Sequence, residues 1–391
     1  MSSVRKISAD ERRARLATRH HLSPAARAGS PEEVAGSLVA VHATDPATVY
    51  LSLGARLADP DLGAIEQALY DRGTLIRMHG MRRTAFVVPA HLVPVVHHSS
   101  TVAVAARQWD LVRTLAARGG YDQRWLDEVE AGALAALATL GTATAAELST
   151  LEPRLAEQVE VGAGKSYAAK QAIGTHLLTA LGMQGRIVRR RPRGTWISGQ
   201  FRWALAPEMP QLPVGDAKRD LVRGWLAAFG PGTETDLKWW TGWTLTEVRR
   251  ALAAAGAEQV AIDDGTGFVL PDDVDPVDGG EPWAALLPAL DSTSMGWRHR
   301  DWYLAPEHVP ALFDANGNAG PTIWWNGRVV GGWALPGTGE VVWRLLEEPG
   351  ADARAAIAAE AERLAAWIGQ AKVTPRFRTP LERELRSEGR R

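Results

Sequence analysis

The amino-acid sequence predicts an α+β fold built from three tandem units, each a run of helices followed by a β-hairpin in the manner of a winged helix. Three observations carry that expectation. Helix-start signals recur along the chain, and alternating strand pairs follow each helical run. The 391 residues are 46% apolar and 23% charged, which is enough to build a core. Boundaries are expected at 1–115, 116–215 and 216–275, with a small β-rich region and a terminal helix over 276–391.

The elements follow in order. Ser8-Ala-Asp-Glu11, Ser30-Pro-Glu-Glu33, Thr144-Ala-Ala-Glu147, Thr233-Glu-Thr-Asp236 and Thr244-Leu-Thr-Glu247 are capping-box patterns, in which a hydroxyl meets the N3 amide and an acid reaches back. Residues 8–57 carry three helical patterns, followed by strands over 74–80 and 82–88 around Gly80. Residues 124–182 carry further helices. The segment 185–191 then reads as a strand that turns at Pro192-Arg-Gly194 and returns through Thr195-Trp-Ile-Ser198. Thr233–Trp240 and Thr244–Ala255 form a helix-turn-helix around Gly242, with an acidic wing-like segment over Gln259–Leu270. Residues 271–282 read as a linker. Asn326-Gly327 marks a type I′ hairpin, 340–346 a strand, 351–369 a helix, and the arginine-rich stretch from Arg376 a frayed tail.

Composition narrows the function classes. Net charge is -1, so the chain is not globally basic, although a local basic face remains open. There is no cysteine, hence no disulfide, thiolate metal site or cysteine nucleophile. No apolar run reaches the ~18 residues of a membrane span, and the polar N-terminus lacks a signal-peptide core. We expect a soluble cytoplasmic protein with no membrane partner. Arginine outnumbers lysine 38 to 6, which suits bidentate recognition of phosphate. The 16 tryptophans are expected to be mostly core.

Several segments are candidates for chemistry. Val159-Glu-Val-Gly-Ala-Gly-Lys165-Ser166 approaches a phosphate loop, but valine stands where the first glycine belongs. The pairs His20-His21 and His97-His98 lack a carboxylate at ligand spacing, so no metal site and no cofactor are expected. Residues 184–203 hold six arginines and no acid: Arg186, Arg189, Arg190, Arg191, Arg193 and Arg202. Such a ribbon suits a DNA groove and its phosphates. Arg82 and Arg83 repeat the theme on the first hairpin. In Val41-His42-Ala-Thr44-Asp45-Pro46, Asp45 reads as an N-cap and Pro46 as N1, with His42 and Thr44 finishing the preceding helix. The same three polar groups clustered among apolar neighbours also suit catalysis, and the residues alone support both readings equally.

Leu38-Val-Ala-Val-His42-Ala-Thr44-Asp45-Pro46 with Leu51-Ser-Leu-Gly-Ala-Arg56-Leu resembles the signature of the AlkZ/YcaQ-type winged-helix DNA glycosylases. Leu75–Ala90 resembles that family's first wing. Leu287-Pro-Ala-Leu-Asp291, Arg298, Arg300 and Asn326–Trp333 resemble its C-terminal pattern. The resemblance implies a C-shaped arrangement of three winged helices around double-stranded DNA, in a monomer associated with the nucleoid. It implies excision of alkylated purines, including bulky N7 adducts and crosslinks, by a monofunctional enzyme of DNA repair or self-resistance. The family's catalytic motif is Gln-x-Gln or Gln-x-Asp; here His42 and Thr44 stand in those positions. The implied roles are His42 as general base, Thr44 as water ligand and Asp45 as charge partner, with Arg82, Arg83, Arg186, Arg189, Arg190, Arg191, Arg193, Arg298 and Arg300 on DNA. The competing class is a winged-helix DNA-binding protein without catalysis, a damage sensor or regulator.

Overall fold

Side-chain caps set the first elements of the computed structural model, which describes residues 4–161, 169–263, 265–337 and 339–388. Ser8 accepts the Glu11 amide and opens α1 (Ala9–Arg19); Ser30 does the same for Glu33 ahead of α2 (Pro31–Ser37). Neither acid completes the expected box. Glu11 pairs with Arg5 and Arg15 instead, and Glu33 accepts the Gly29 amide. Next come β1 (Val41–His42), α3 (Pro46–Gly54), α4 (Leu62–Glu66), β2 (Leu75–His79) and β3 (Ala85–Pro89). They place an antiparallel sheet of order β1-β3-β2. His42 pairs with Phe86 in it, so it does not finish the preceding helix as expected. α2 has already stopped at Ser37, and Val39, at a φ of 61°, redirects the chain into the strand.

The second region holds α5 (Val93–Val96), α6 (Val102–Arg118), α7 (Gln123–Leu140), α8 (Ala145–Leu151), β4 (Gln158–Val161), β5 (Ala169–Ala172) and α9 (Ile173–Met183). Gly162–Ser166 of the phosphate-loop candidate lie outside the described residues. The arginine-rich hairpin is β6 (Ile187–Pro192) with β7 (Phe201–Leu205). Its return strand is therefore 201–205, not the expected 195–198. Trp196 explains the difference: its ring lies 5.2 Å from Tyr50 and is buried in another core, which ties this stretch down as a docked loop.

α10 (Val214–Phe229) leads into α11 (Glu234–Thr241) and α12 (Leu245–Ala255), followed by the hairpin of β8 (Glu258–Ile262) and β9 (Gly265–Val269). Reciprocal capping boxes form at Thr144/Glu147, Thr233/Asp236 and Thr244/Glu247, as expected. Gly242 turns the chain between α11 and α12 at a φ of 76°, and a Cβ there would lie 2.9 Å from Arg82.

The C-terminal region comprises β10 (Ala284–Leu287), α13 (Val309–Leu312), β11 (Thr322–Trp325), β12 (Arg328–Ala334), β13 (Val342–Leu345), α14 (Ala351–Ile368) and α15 (Pro380–Glu388). Its four strands form an antiparallel sheet in chain order, with Asn326 and Gly327 at φ 45° and 78° in the expected tight turn. The tail is not frayed. α15 buries Leu381 and Leu385 against β12, because those residues give the helix an apolar stripe. The largest core joins Phe86, Trp225, Phe229, Trp240, Trp297 and Trp324, so aromatic side chains from distant segments hold the first, third and C-terminal regions together. Among the described residues, no helix is long and apolar enough to cross a membrane.

Candidate active-site cleft and nucleic-acid interface

The motif at 42–46 sits where the edge strand β1 passes into α3. Asp45 caps that helix: one carboxylate oxygen accepts the Ala47 amide at 3.1 Å and the other the Arg376 amide at 2.9 Å. The structure thus places Asp45 as a buried cap with both oxygens engaged, not as a group facing open solvent. Two arginines hold the carbonyls beside it. Arg77 Nη1 donates to Ala43 at 2.6 Å and Arg376 Nη1 to Thr44 at 3.4 Å. His42 is 7% exposed, with its ring 4.9 Å from that of Phe86 and its Nδ1 buried without a partner. Burial, reinforced by the charge of Arg82, pushes its pKa down to about 3. The opposing, upward pull comes from the charge of Asp291.

A buried ion pair braces the motif from behind. Arg56 and Asp291 are both fully buried and meet in a bidentate pair at 2.7 and 2.9 Å. Asp291 also accepts from Ser52 Oγ at 2.6 Å and the Thr293 amide at 2.9 Å. Arg56 donates to the carbonyls of His20 and Ser52 and to Thr293 Oγ1. Burial alone would raise the Asp291 carboxyl, but the charge and hydrogen bonds of Arg56 hold it below the usual carboxylate range. The same loop reaches the motif: Ser292 Oγ donates to Ala40 at 2.9 Å, and Thr48 Oγ1 to Ala289 at 2.8 Å. Two sequence segments more than 200 residues apart are therefore one structural unit.

A cleft of about 470 Å³ opens on the motif. Thr44 and Pro46 line it together with Arg189, Arg193, Phe201 and Trp203 of the arginine-rich hairpin, and with Arg376. His42 is not among its lining residues. The hairpin arginines divide into two sets. Arg186 pairs with Glu130, Arg191 with Glu66 and Asp71, and Arg202 with Glu147. Arg189, Arg190 and Arg193 make no close ion pair among the described residues, Arg193 reaching Glu147 only through longer-range charge. The acids missing from the hairpin's own sequence are supplied by other elements.

On the first hairpin, Arg82 and Arg83 adopt φ values of 53° and 63°, a strained conformation for residues with a Cβ. Arg82 and Arg300 both stack on Trp239, at 4.4 and 5.2 Å, and Arg83 donates to Gln108 at 2.7 Å. The exposed Arg298 and its neighbour His299 are fixed by backbone donation to Asp236, far from Thr44 in sequence and outside its cleft. His20 is a satisfied core residue: Nε2 donates to the Ala228 carbonyl at 3.0 Å and Nδ1 accepts from Thr293 at 2.8 Å. Burial pushes it down to about 3, so it is neutral.

Sequence reasoning missed Arg77, Phe201 and Arg376. Arg77 did leave a signal, since it occupies the same inward face of β2 as the buried Leu75, two residues on.

The chain has matches among known proteins. A family model described as "DNA glycosylase AlkZ-like" matches residues 35–367. Among solved structures, the DNA glycosylase AlkZ of Streptomyces sahachiroi is similar, with a TM-score of 0.71 and 21% identity, covering 94% of this chain and 98% of that one. At that identity the likeness speaks for the fold. No curated protein matches.

Proposed function

Since the chain belongs to the AlkZ-like DNA glycosylase family, we propose that it repairs DNA by hydrolysing the N-glycosidic bond of alkylated purines, with N7 adducts, including bulky ones and crosslinks, as the substrate class. The observation that carries this reading is the cleft in which Thr44 of the motif shares its walls with Arg189 and Arg193. Residues 1–115, 116–215 and 216–275 are read as three winged helices curved around double-stranded DNA and closed by 276–391, in a cytoplasmic monomer at the nucleoid. The run of α11, Gly242 and α12 into the hairpin β8–β9 supports that arrangement.

An N7-alkylated purine carries a positive charge, so the C1′–N9 bond breaks with its electron pair leaving on N9 and no general acid is needed. Water then adds to C1′, forming the C1′–O bond, and releases its proton to solvent. Thr44 holds that water, and neutral His42 orients the site from the strand behind it. Asp45 is a positioning residue that fixes the start of α3 and the Arg376 backbone. No lysine lines the cleft among the described residues, which supports a monofunctional hydrolase over an imine-forming lyase. Glu247 is held by its capping box and by Lys218 at 2.5 Å, and Arg249 by Glu234 at 2.9 Å. Those internal bonds favour α12 as scaffold over a reader of base edges.

The test is incubation with methylated and bulky-adduct duplexes, followed by alkali. Strand breaks should appear only after alkali. Breaks without alkali would overturn the monofunctional step. Duplex binding without abasic sites on any adduct would leave only a damage sensor or regulator. DNA contact has its own expected result: replacing Arg189, Arg190 and Arg193 with Gln should flatten the slope of log affinity against log salt by about one unit per lost phosphate contact. An unchanged slope in an anisotropy titration would remove this hairpin from the DNA face.

A further inference from the structure

We propose that Arg189 and Arg376, with the buried charge of Arg77 behind them, form one phosphate subsite beside Thr44, which takes a single phosphodiester of the bound DNA strand; this rests on the DNA-glycosylase reading. The three guanidinium groups come from β2, β6 and the segment before α15. Arg77 and Arg189 both stack on Phe201, at 4.5 and 5.6 Å, and Arg189 also lies 5.2 Å from the Trp203 ring. Arg189 lines both the Thr44 cleft and the groove that contains Arg77, so it bridges the other two. Arg77 is 4% exposed, and its Nε and Nη2 are closed to solvent, so it acts on the subsite through its charge.

The charges do not balance. Among the described residues, none of the three arginines has a carboxylate in ion-pair contact. Asp45 is the acid close by, and its oxygens already accept two backbone amides. Tyr70 also faces Arg77, with a hydroxyl rather than a carboxylate. Burial, then the charges of Arg77 and Arg376, push Arg189 down to about 10. On the same ribbon, Arg186, Arg191 and Arg202 each found an acid on another element. Like charges gathered away from water are unfavourable unless an anion completes them. The aromatic rings hold these guanidinium planes in place, and a phosphate oxygen matches their donors. The subsite also has a consequence for the reaction. An empty triad would oppose the positive charge that develops on the sugar, whereas a seated phosphodiester offsets it.

The test uses the full chain and an adducted duplex carrying a neutral methylphosphonate at one position at a time. Wild-type protein should show one position, next to the adduct, where the substitution lowers affinity about ten-fold and the salt slope by about one unit. Arg376→Gln, which keeps the backbone amide on Asp45, should weaken binding to the normal duplex by a similar factor and become indifferent to that position. Arg189→Gln should behave the same, and the double variant should lose little more than either single one, because both side chains hold one anion. Arg191→Gln, whose guanidinium already answers Glu66 and Asp71, should keep the wild-type sensitivity. Additive losses, or an Arg376→Gln protein still sensitive at that position, would overturn the subsite while leaving the glycosylase reading intact. Salt-independent affinity together with no excision by the wild type would overturn the glycosylase reading, and the subsite with it.

Discussion

Asp291→Ala should lower unfolding stability by about 3–5 kcal/mol, because it leaves the Arg56 guanidinium charged and buried without its counter-ion. Three of its other bonds, to His20, Ser52 and Thr293, would survive, but none of them carries charge. Replacing both partners at once (Arg56→Met with Asp291→Leu) should recover much of the loss, since apolar side chains of similar size carry no desolvation cost. The pH dependence follows from the direction of the shift. The folded carboxyl lies below its unfolded value, so the pair's stability is complete above the unfolded pKa and fades as pH falls through the folded one. Urea titrations of the three proteins at neutral pH measure the losses, and those of the wild type at falling pH measure the pH dependence. A single-variant loss under about 1 kcal/mol would show that the network is ornamental. Excision should also fall in Asp291→Ala, through the Ser292 bond to Ala40 and the Thr48 bond to Ala289 that seat the motif.

What the sequence revealed about the fold was mostly local. Thr144, Thr233 and Thr244 announce their helices because cap, N3 acid and first turn lie within four residues. Asn326-Gly327 is legible for the same reason. The misreadings arose where a distant partner decided the outcome. Thr195–Ser198 alternates like a strand, but Trp196 gains more by docking on Tyr50 than the segment would by pairing. The basic stretch after Val373 looks solvated until Leu381 and Leu385 find β12.

The site divides along the same line. His42, Thr44 and Asp45 were visible as a cluster, and Asp45 with Pro46 as a helix start. The partners that complete the cleft lie far off in sequence: Arg376 is 331 residues from Asp45, and Arg77 is 34 from Ala43. An arginine-only window was a sound signal of a basic ribbon. It could not reveal that Glu66, Asp71, Glu130 and Glu147 neutralise half of it. Burial, which decides what His42 can do, is a tertiary property that no spacing encodes.

Single-turnover excision should be flat from about pH 8 to about pH 5, with no acid limb near the ~6.5 of an ordinary histidine. The imidazole of His42 is held neutral by burial, with its pKa pushed down to about 3, so its protonation state does not change across that range. A base so weak is far from the ~7 that suits proton abstraction at neutral pH. It is, however, a constant neutral donor and acceptor, which is what the glutamine of the family motif would be. With the cationic leaving group proposed above that would suffice, because water would need orientation more than deprotonation. His42→Gln should therefore retain most of the wild-type rate at every pH in the range. His42→Ala should cost about 10²-fold in rate with DNA affinity nearly unchanged, the pattern of a residue whose positioning of Thr44 matters in the transition state. An acid limb near 6.5 in the wild type, absent from His42→Gln, would instead make His42 a solvent-coupled general base. Equal rates for His42→Ala and wild type would reduce the residue to a packing partner of Phe86 and leave Thr44 to position the water alone.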